Sequence, residues 1–496
     1  MADEEHVAPP QPSLFFELLK ILGYIALIPF IFLFKMFNHT KKSPSWYYAF
    51  VFGSGNLSLN GWGVSRGLVL SLTFIGLLLA LANTVPHFIV FFVTWFFGLA
   101  PIWLPLGLAV IANFVWIHYV RELYISGQDF ILLEIKIPRE IMKSPRAMEL
   151  AITSLYHAGS ESSYAARFWR GQVRTWFSLE LVSIGGSVHF YICGAKRFRT
   201  LIEAAMYAQF PEIEIHEVED YAKKFEYSPE HNALYFAEFT YSRKDEHGKT
   251  DTYQIKSYID FELDKDPKEE FKIDPLAQVL EFMSSMQSHE QMWFQILIRA
   301  PGKEGVLTRY NDRGEAWIGQ IDAEIQQIKI DAMKNPKYPD DDKKESQSAR
   351  LTTEQQDRMK HLERHKSKTH FEVAIRGVFL ADNRYGSLRG QLISTFRDIF
   401  RPFASHHLNK ITATQGLDFE FPWQDVGNRL KNNRCVRFFD AYRRRSAFYP
   451  PWEIQTHIMT VEALASIFHF PSSGIKTPGI QRIASKKSEP PMNLPM

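Results

Sequence analysis

Between Gln128 and Tyr221 the side-chain periodicity switches repeatedly between two residues and three to four, and the order of those switches admits few folds. Ile131, Leu133, Ile135 and Ile137 alternate with Leu132, Glu134 and Lys136, the pattern of a strand buried on one face. Ser144-Pro145 supplies a helix cap and a first-turn proline, and Met148, Ile152 and Leu155 follow at helical spacing. Phe177, Leu179 and Leu181 alternate again up to Gly185-Gly186, a pair suited to a tight primed turn, and Val188, Phe190 and Ile192 return as the partner strand. Phe198, Leu201, Ile202 and Ala205 mark a second helix that stops before Pro211, and Ile213 and Ile215 close the unit as a strand. The resulting order, βαββαβ, is that of a ferredoxin-like split βαβ sheet with helices on one face.

The same order returns once more. Ile259, Phe261 and Leu263 are read as a strand, Asp274-Pro275 repeats the cap-plus-proline device, and Leu276, Val279, Leu280 and Met283 share a helical face. Met292, Phe294, Ile296 and Ile298 alternate, as do Phe371, Val373 and Ile375. Leu388 to Phe400 reads as a helix and Leu408 to Thr414 as a last strand. Two ferredoxin-like halves, 128–221 and 252–415, are therefore expected, with an unrepeated α+β domain as the alternative. Residues 302–368 interrupt the second half. They are rich in both charge signs, with one amphipathic helix at Ile318, Ile321, Ile325 and Ile328, and the remainder reads as a solvated, mobile insertion.

Residues 14–121 have a different character. Leu14 to Phe37, Leu68 to Val85 and Ile102 to Tyr119 are apolar runs long enough to cross a bilayer, after a polar stretch at 1–13. Pro86 to Pro101 is apolar but short, which suits a re-entrant or interfacial segment, and two spans rather than three is the alternative count. Lys35, Lys41, Lys42 and Arg66 flank the first loop, whereas the N-terminus and Thr84 to Pro101 carry no Lys or Arg. The expected topology is a multi-pass protein of the cytoplasmic (inner) membrane with its N-terminus outside and everything after Arg121 in the cytoplasm.

The search for chemistry finds little. A formal charge of +2 excludes a bulk nucleic-acid coat, so any basic function must be local. Cys193 and Cys435 have no CxxC partners, which leaves neither a disulfide framework nor a cysteine zinc site. Gly248-Lys249-Thr250 mimics the end of a phosphate loop, but Arg243 stands where the first glycine belongs. His289-Glu290 lacks the second histidine of a zinc-protease helix, Trp293 holding its place, and His406-His407 reads as a surface pair. No catalytic residue, cofactor or metal ligand is assigned, and the chain is expected not to be an enzyme.

The strongest feature lies in the tail, 416–496. Arg434, Arg437, Arg443, Arg444 and Arg445 interleave with Phe438, Phe439, Tyr442, Phe448 and Tyr449. Guanidinium forks bind phosphates and aromatic faces stack bases, so the cluster is a candidate contact for nucleic acid or a partner protein. The competing reading is that the aromatics pack and the arginines pair with acids. Lys476 to Met496, with Pro478, Pro490, Pro491 and Pro495, reads as an extended docking segment in which Lys486 and Lys487 steer a partner; folding back over its own domain is the alternative.

Several of these stretches carry a resemblance. Leu132-Leu133-Glu134-Ile135, Ile137-Pro138-Arg139-Glu140 and Lys143 to Glu149 are similar to the start of an uncharacterised membrane-anchored bacterial family. So are the hairpin Ser178 to Tyr191, Arg199 to Tyr221 with Gln209-Phe210-Pro211, Thr460 to Ala465, His469-Phe470-Pro471 and Lys487 to Pro495. Members of that family often continue into a motor similar to conjugative coupling proteins and the DNA-pumping ATPases of type IV secretion, whereas this sequence stops where the motor would begin. The resemblance implies a non-enzymatic accessory or adaptor subunit of a DNA-translocation machine. Its expected partners are a separate motor ATPase and the membrane, with DNA and further copies of the chain as other candidates. The alternative is an envelope scaffold with no role in DNA transfer.

Overall fold

The computed structural model describes residues 72–73, 76, 86–138, 143–157, 164–242, 251–265, 274–304, 311–334, 351–385, 388–414, 425–471, 479–480 and 482–483. The chain divides into two units, residues 1–100 with 419–426 and residues 101–418 with 427–496.

In the first unit, α1 (Pro86–Gly98) opens on a proline, whose missing N–H costs nothing at a helix start. It occupies the stretch expected to be re-entrant or interfacial, and Phe91, Trp95 and Phe97 on it are exposed. The run Leu14 to Phe37 lies outside the described residues, as does Leu68 to Val85 apart from Leu72, Thr73 and Gly76.

α2 (Ala100–Ser126) contains the third expected span and is long and apolar enough to cross a membrane. Its side chains from Ile102 to Val115 are largely exposed. From Pro101 onward it belongs to the second unit, and its last turns are fixed there. The Trp116 indole Nε1 donates to the Phe168 carbonyl at 2.9 Å, and Arg121 lies over the Tyr449 ring at 5.5 Å. Val120 is buried against Gly171, which sits at φ +61°; a Cβ there would come within 2.0 Å of the Val120 carbonyl oxygen. Only glycine meets both the dihedral and the clearance.

The second unit is built on one large sheet. In chain order its elements are β1 (Phe130–Pro138), α3 (Pro145–Ser154), α4 (Tyr164–Phe168), β2 (Trp176–Ile184), β3 (Ser187–Ala195), α5 (Arg199–Gln209), β4 (Glu214–Val218) and α6 (Tyr221–Lys224). There follow β5 (Asn232–Tyr241), α7 (Pro275–Ser284), β6 (Glu290–Arg299), a small hairpin β7 (Lys303–Glu304) and β8 (Asn311–Asp312), α8 (Arg313–Lys334), α9 (Thr353–Lys366) and β9 (His370–Asp382). The chain continues with α10 (Gly390–Arg397), β10 (Ile411–Ala413), α11 (Arg429–Arg443), β11 (His457–Thr460), α12 (Val461–Ile467) and β12 (Arg482–Ile483).

β1 lies between β3 and β4, with β2 beyond β3; all these pairings are antiparallel. β5 lies in the same way between β9 and β10, with β6 beyond β9. The two sets join through β2 and β6, antiparallel from Trp176 opposite Arg299 to Ile184 opposite Gln291. Gly185 and Gly186, at φ +58° and +86°, make the β2–β3 turn as their sequence implies.

Both faces of the sheet are covered. On one, Phe239 and Phe294 pack on Phe396 of α10, and Phe190 meets Phe468 and Phe470. On the other, Phe236 stacks on Phe438 of α11 at 3.8 Å, and Trp293 packs on Phe439 and Tyr442. Helices on one face alone were expected; α11 covers the second.

Four sequence expectations are corrected. Ile259, Phe261 and Leu263 form turns, with Glu262 at φ +58°, not a strand. A strand not expected from the sequence, β5, runs from Asn232 to Tyr241; it is buried on both faces and so shows no alternation to read. The described part of the insertion is not a solvated excursion. Trp317, Ile321, Ile325 and Ile328 of α8 and Leu362 of α9 enclose a second core with Tyr253 and Ile458. His361 and His365 are buried there with their Nε2 atoms 3.1 Å apart, and burial pushes His361 down to about 4. Finally, the described part of the tail belongs to the fold: β11 pairs with β9, every residue of α12 is buried, and Thr460 caps α12 through the Ala463 N–H. The Val188 N–H donates to the Gly479 carbonyl at 2.8 Å, Ile480 is buried, and β12 pairs in parallel with Ile137 and Pro138. The front of the expected docking segment thus completes the chain's own sheet.

A buried carboxylate ties the insertion to that sheet. Glu372 on β9 accepts from Arg299 at 2.8 Å, Arg174 at 3.3 Å, Arg313 at 2.5 Å and Thr456 at 2.7 Å. Burial alone would raise its pKa; the three guanidiniums overcome that and hold it well below the usual carboxylate range. The stability it contributes is present above the unfolded value, near pH ~4.3, and is lost as pH falls toward the folded one. The stability gap between wild type and Glu372→Gln should therefore be full at neutral pH and shrink below about pH 4.3. Urea unfolding at a series of pH values measures it; a gap unchanged down to pH ~3 would show that the carboxyl is not ionised in the fold.

Candidate functional site

α11 carries most of the Arg-aromatic cluster, and its sequence explains how it lies. Cys435, Phe438, Phe439 and Tyr442 recur at helical spacing and are all buried against the sheet. None of these rings is left open for a nucleobase. Arg434 is half-buried beside the Phe236 ring, and Arg437 is exposed. Lys486 and Lys487 lie outside the described residues.

The end of α11 is clamped by Arg376 of β9. Its guanidinium donates to Gln295 Oε1 at 2.9 Å and to the carbonyls of Ser446 at 2.7 Å and Ala441 at 3.1 Å. A cation suits the carbonyl end of a helix. Burial lowers its pKa to about 10, so it stays charged at neutral pH.

Arg445 is the centre of a buried polar network. It donates to Glu180 at 2.8 and 3.2 Å and to Asp220 at 2.6 and 3.1 Å. The Tyr221 hydroxyl also donates to Glu180, at 2.9 Å. Burial pushes the Tyr221 and Tyr442 phenols well above their ordinary range, so both are neutral. Asp220 caps α6 through the Ala222 N–H at 3.0 Å. Arg445 is therefore a structural tie between β2, α6 and the turn after α11, and is not offered to a ligand.

Arg443 and Arg444 differ from it. They line a cleft of about 770 Å³ in the second unit. Its floor is the open end of β1 and β3, with Phe130, Leu132, Cys193 and Trp176; one wall is the turn Arg443 to Pro451, another is α6, and the last is the end of α2 at Glu122, Ile125 and Ser126. Arg444 is exposed and pairs with Asp440 at 3.0 Å. Arg443 is half-buried, and its guanidinium has no hydrogen bond or ion pair among the described residues. Burial pushes the Cys193 thiol up to about 12, which leaves it unreactive at neutral pH. Among the described residues no group of three or more His, Cys, Asp or Glu is placed to hold a metal ion. His407 pairs with Glu354 on the surface at 2.8 Å, and the phosphate-loop mimic at 243–250 lies outside the described residues.

Residues 162–482 match the family model described as Domain of unknown function (DUF8128). The chain belongs to that family. The matched span takes in β2 through α12 and hence the buried network, α11 and the Arg443–Pro451 wall, whereas α2 and β1 lie before it. No protein of curated function matches the chain.

The sequence singled out Arg443, Arg444, Arg445, Phe448 and Tyr449 but not the rest of the cleft. Glu122, Trp176, Lys223 and Arg443 are far apart in the chain, and only the sheet topology brings them together. The available local signals were Asp220 as a cap and the charged end of an apolar run at Arg121 and Glu122.

Proposed function

We propose that the chain is a membrane-anchored adaptor, not an enzyme, that holds its sheet domain at the cytoplasmic face of the inner membrane and docks a separate motor ATPase of a type IV secretion or conjugation-like DNA-translocation machine. The observation that carries the anchoring is α2. One helix runs from an apolar stretch straight into the domain, where Trp116, Val120 and Arg121 lock its last turns. The strand orders β4-β1-β3-β2 and β10-β5-β9-β6 support two ferredoxin-like halves joined edge to edge. The multi-pass topology, with an outside N-terminus and further spans at 14–37 and 68–85, belongs to the same proposal. The motor and the DNA rest on the family resemblance, which is analogy.

Two measurements test it. The protein should stay in the membrane pellet after alkaline carbonate extraction, as expected of a helix with about 20 apolar residues; release into the supernatant refutes the anchor. Affinity purification from native membranes should recover a motor ATPase. An intact membrane complex with envelope proteins and no motor would establish the scaffold reading instead.

A further inference from the structure

The geometry points to the cleft at the foot of α2 as a binding site for the headgroup of a zwitterionic phospholipid from the adjoining leaflet. This rests on the membrane reading of α2. The helix carries no Lys, Arg, Asp or Glu from Ala100 to Val120, and that length, at about 1.5 Å per residue, matches a hydrocarbon core of about 30 Å. Arg121 then stands at the boundary. Glu122, Ile125 and Ser126, which line the cleft, fall within the next ~8 Å, the depth of the headgroup layer.

The lining fits such a headgroup in charge and in surface. Acids and bases line the cleft in equal number, so it complements a ligand with one charge of each sign rather than a bare anion. Arg445 with Asp220, Arg444 with Asp440 and Lys224 with Glu219 are already paired. Arg443, Lys223 and Glu122 have no ion pair among the described residues. The two cations suit a phosphodiester, and Glu122 suits an ammonium. The Trp176 indole N–H is buried in the same lining without an acceptor among the described residues, and a buried donor left unsatisfied in a native fold calls for a partner. Phe130 and Tyr449 offer apolar surface to the glycerol and the first methylenes, and the cleft volume is that of a small-molecule site.

The test uses the full chain, extracted in mild detergent and stripped of lipid. Adding phosphatidylethanolamine should raise its melting temperature, and native mass spectrometry should show one lipid retained. Phosphatidylglycerol and inorganic phosphate should do neither. Arg443→Gln with Lys223→Gln should weaken retention on the order of tenfold, the usual consequence of losing charge-assisted hydrogen bonds. Its lipid-free melting temperature should match wild type, since neither side chain has an ion pair to lose, and Arg443→Lys should restore part of the retention. Equal retention by the double variant overturns the site, as does an equal response to phosphatidylglycerol or to phosphate alone. Carbonate extraction separates the two levels. A chain that pellets but shows no lipid response overturns only this inference, and one that is released removes the membrane reading as well.

Discussion

Replacing Arg445 by methionine should destabilise the sheet domain by about 3–5 kcal/mol, the usual cost of removing one partner from a buried ion pair. The guanidinium is 4 % exposed and holds two carboxylates, Glu180 and Asp220, from different elements. Methionine keeps most of the side-chain volume and the same strained backbone, at φ +53°, so the loss isolates the charge. Glu180, fully buried, would be left with Tyr221 and Ser178 as its hydrogen-bond donors. Arg445→Lys should recover only part, because an ammonium cannot span both carboxylates in the fork geometry. Adding Glu180→Gln to Arg445→Met should cost less than the sum of the single changes, since the orphaned charge is removed with its partner. Denaturant midpoints measure all of these. A single Arg445→Met loss below about 1 kcal/mol would show that the carboxylates are satisfied without it.

Leu133→Asp should be at least as damaging. Leu133 is fully buried in β1, between Ile192 of β3 and Glu217 of β4. An unpaired carboxylate there costs several kcal/mol, whether it remains ionised or is forced to protonate. The domain should become sensitive to limited proteolysis while the apolar helix still pellets with membranes. Leu132→Asp is the control, because Leu132 points to the other face and lines the cleft. The expected order of loss is Leu133→Asp above Leu132→Asp; the reverse order would mean that the faces of β1 are misassigned.

The β1–β4 part of the sheet was legible because β1 alternates, Gly185-Gly186 supplies the positive φ its turn needs and Pro145 opens α3, although the Ser144 side chain makes no capping hydrogen bond. Asp274-Pro275 marked α7 for the same reason, with the Asp274 side chain accepting from the Leu276 N–H. β5 escaped because Asn232 to Tyr241 is apolar or aromatic with little regard to parity, which a strand covered on both faces permits. α9 misled in the other direction. Its sequence is nearly all polar, yet His361, Leu362 and His365 form a buried stripe, and imidazoles kept neutral by burial serve there as core. For the candidate site, the spacing of Cys435, Phe438, Phe439 and Tyr442 already described a packing stripe. What no window of sequence contains is that Arg445 would reach Glu180, or that the end of α2 would stand beside α6.

The unbroken path of α2 into the domain sets an angle as well as an attachment. With Trp116, Val120 and Arg121 all engaged, no swivel separates the apolar part of the helix from the sheet. The azimuth of the domain about the helix axis is therefore a matter of helical phase. Each residue added between Leu104 and Ala112 would turn the whole sheet by about 100° and lift it by about 1.5 Å relative to the preceding part of the helix. Seven added residues, close to two full turns, would restore nearly the original bearing about 10 Å further out. Direction and height could thus be set independently by length alone, and a partner that needs the domain to face one way would distinguish the two.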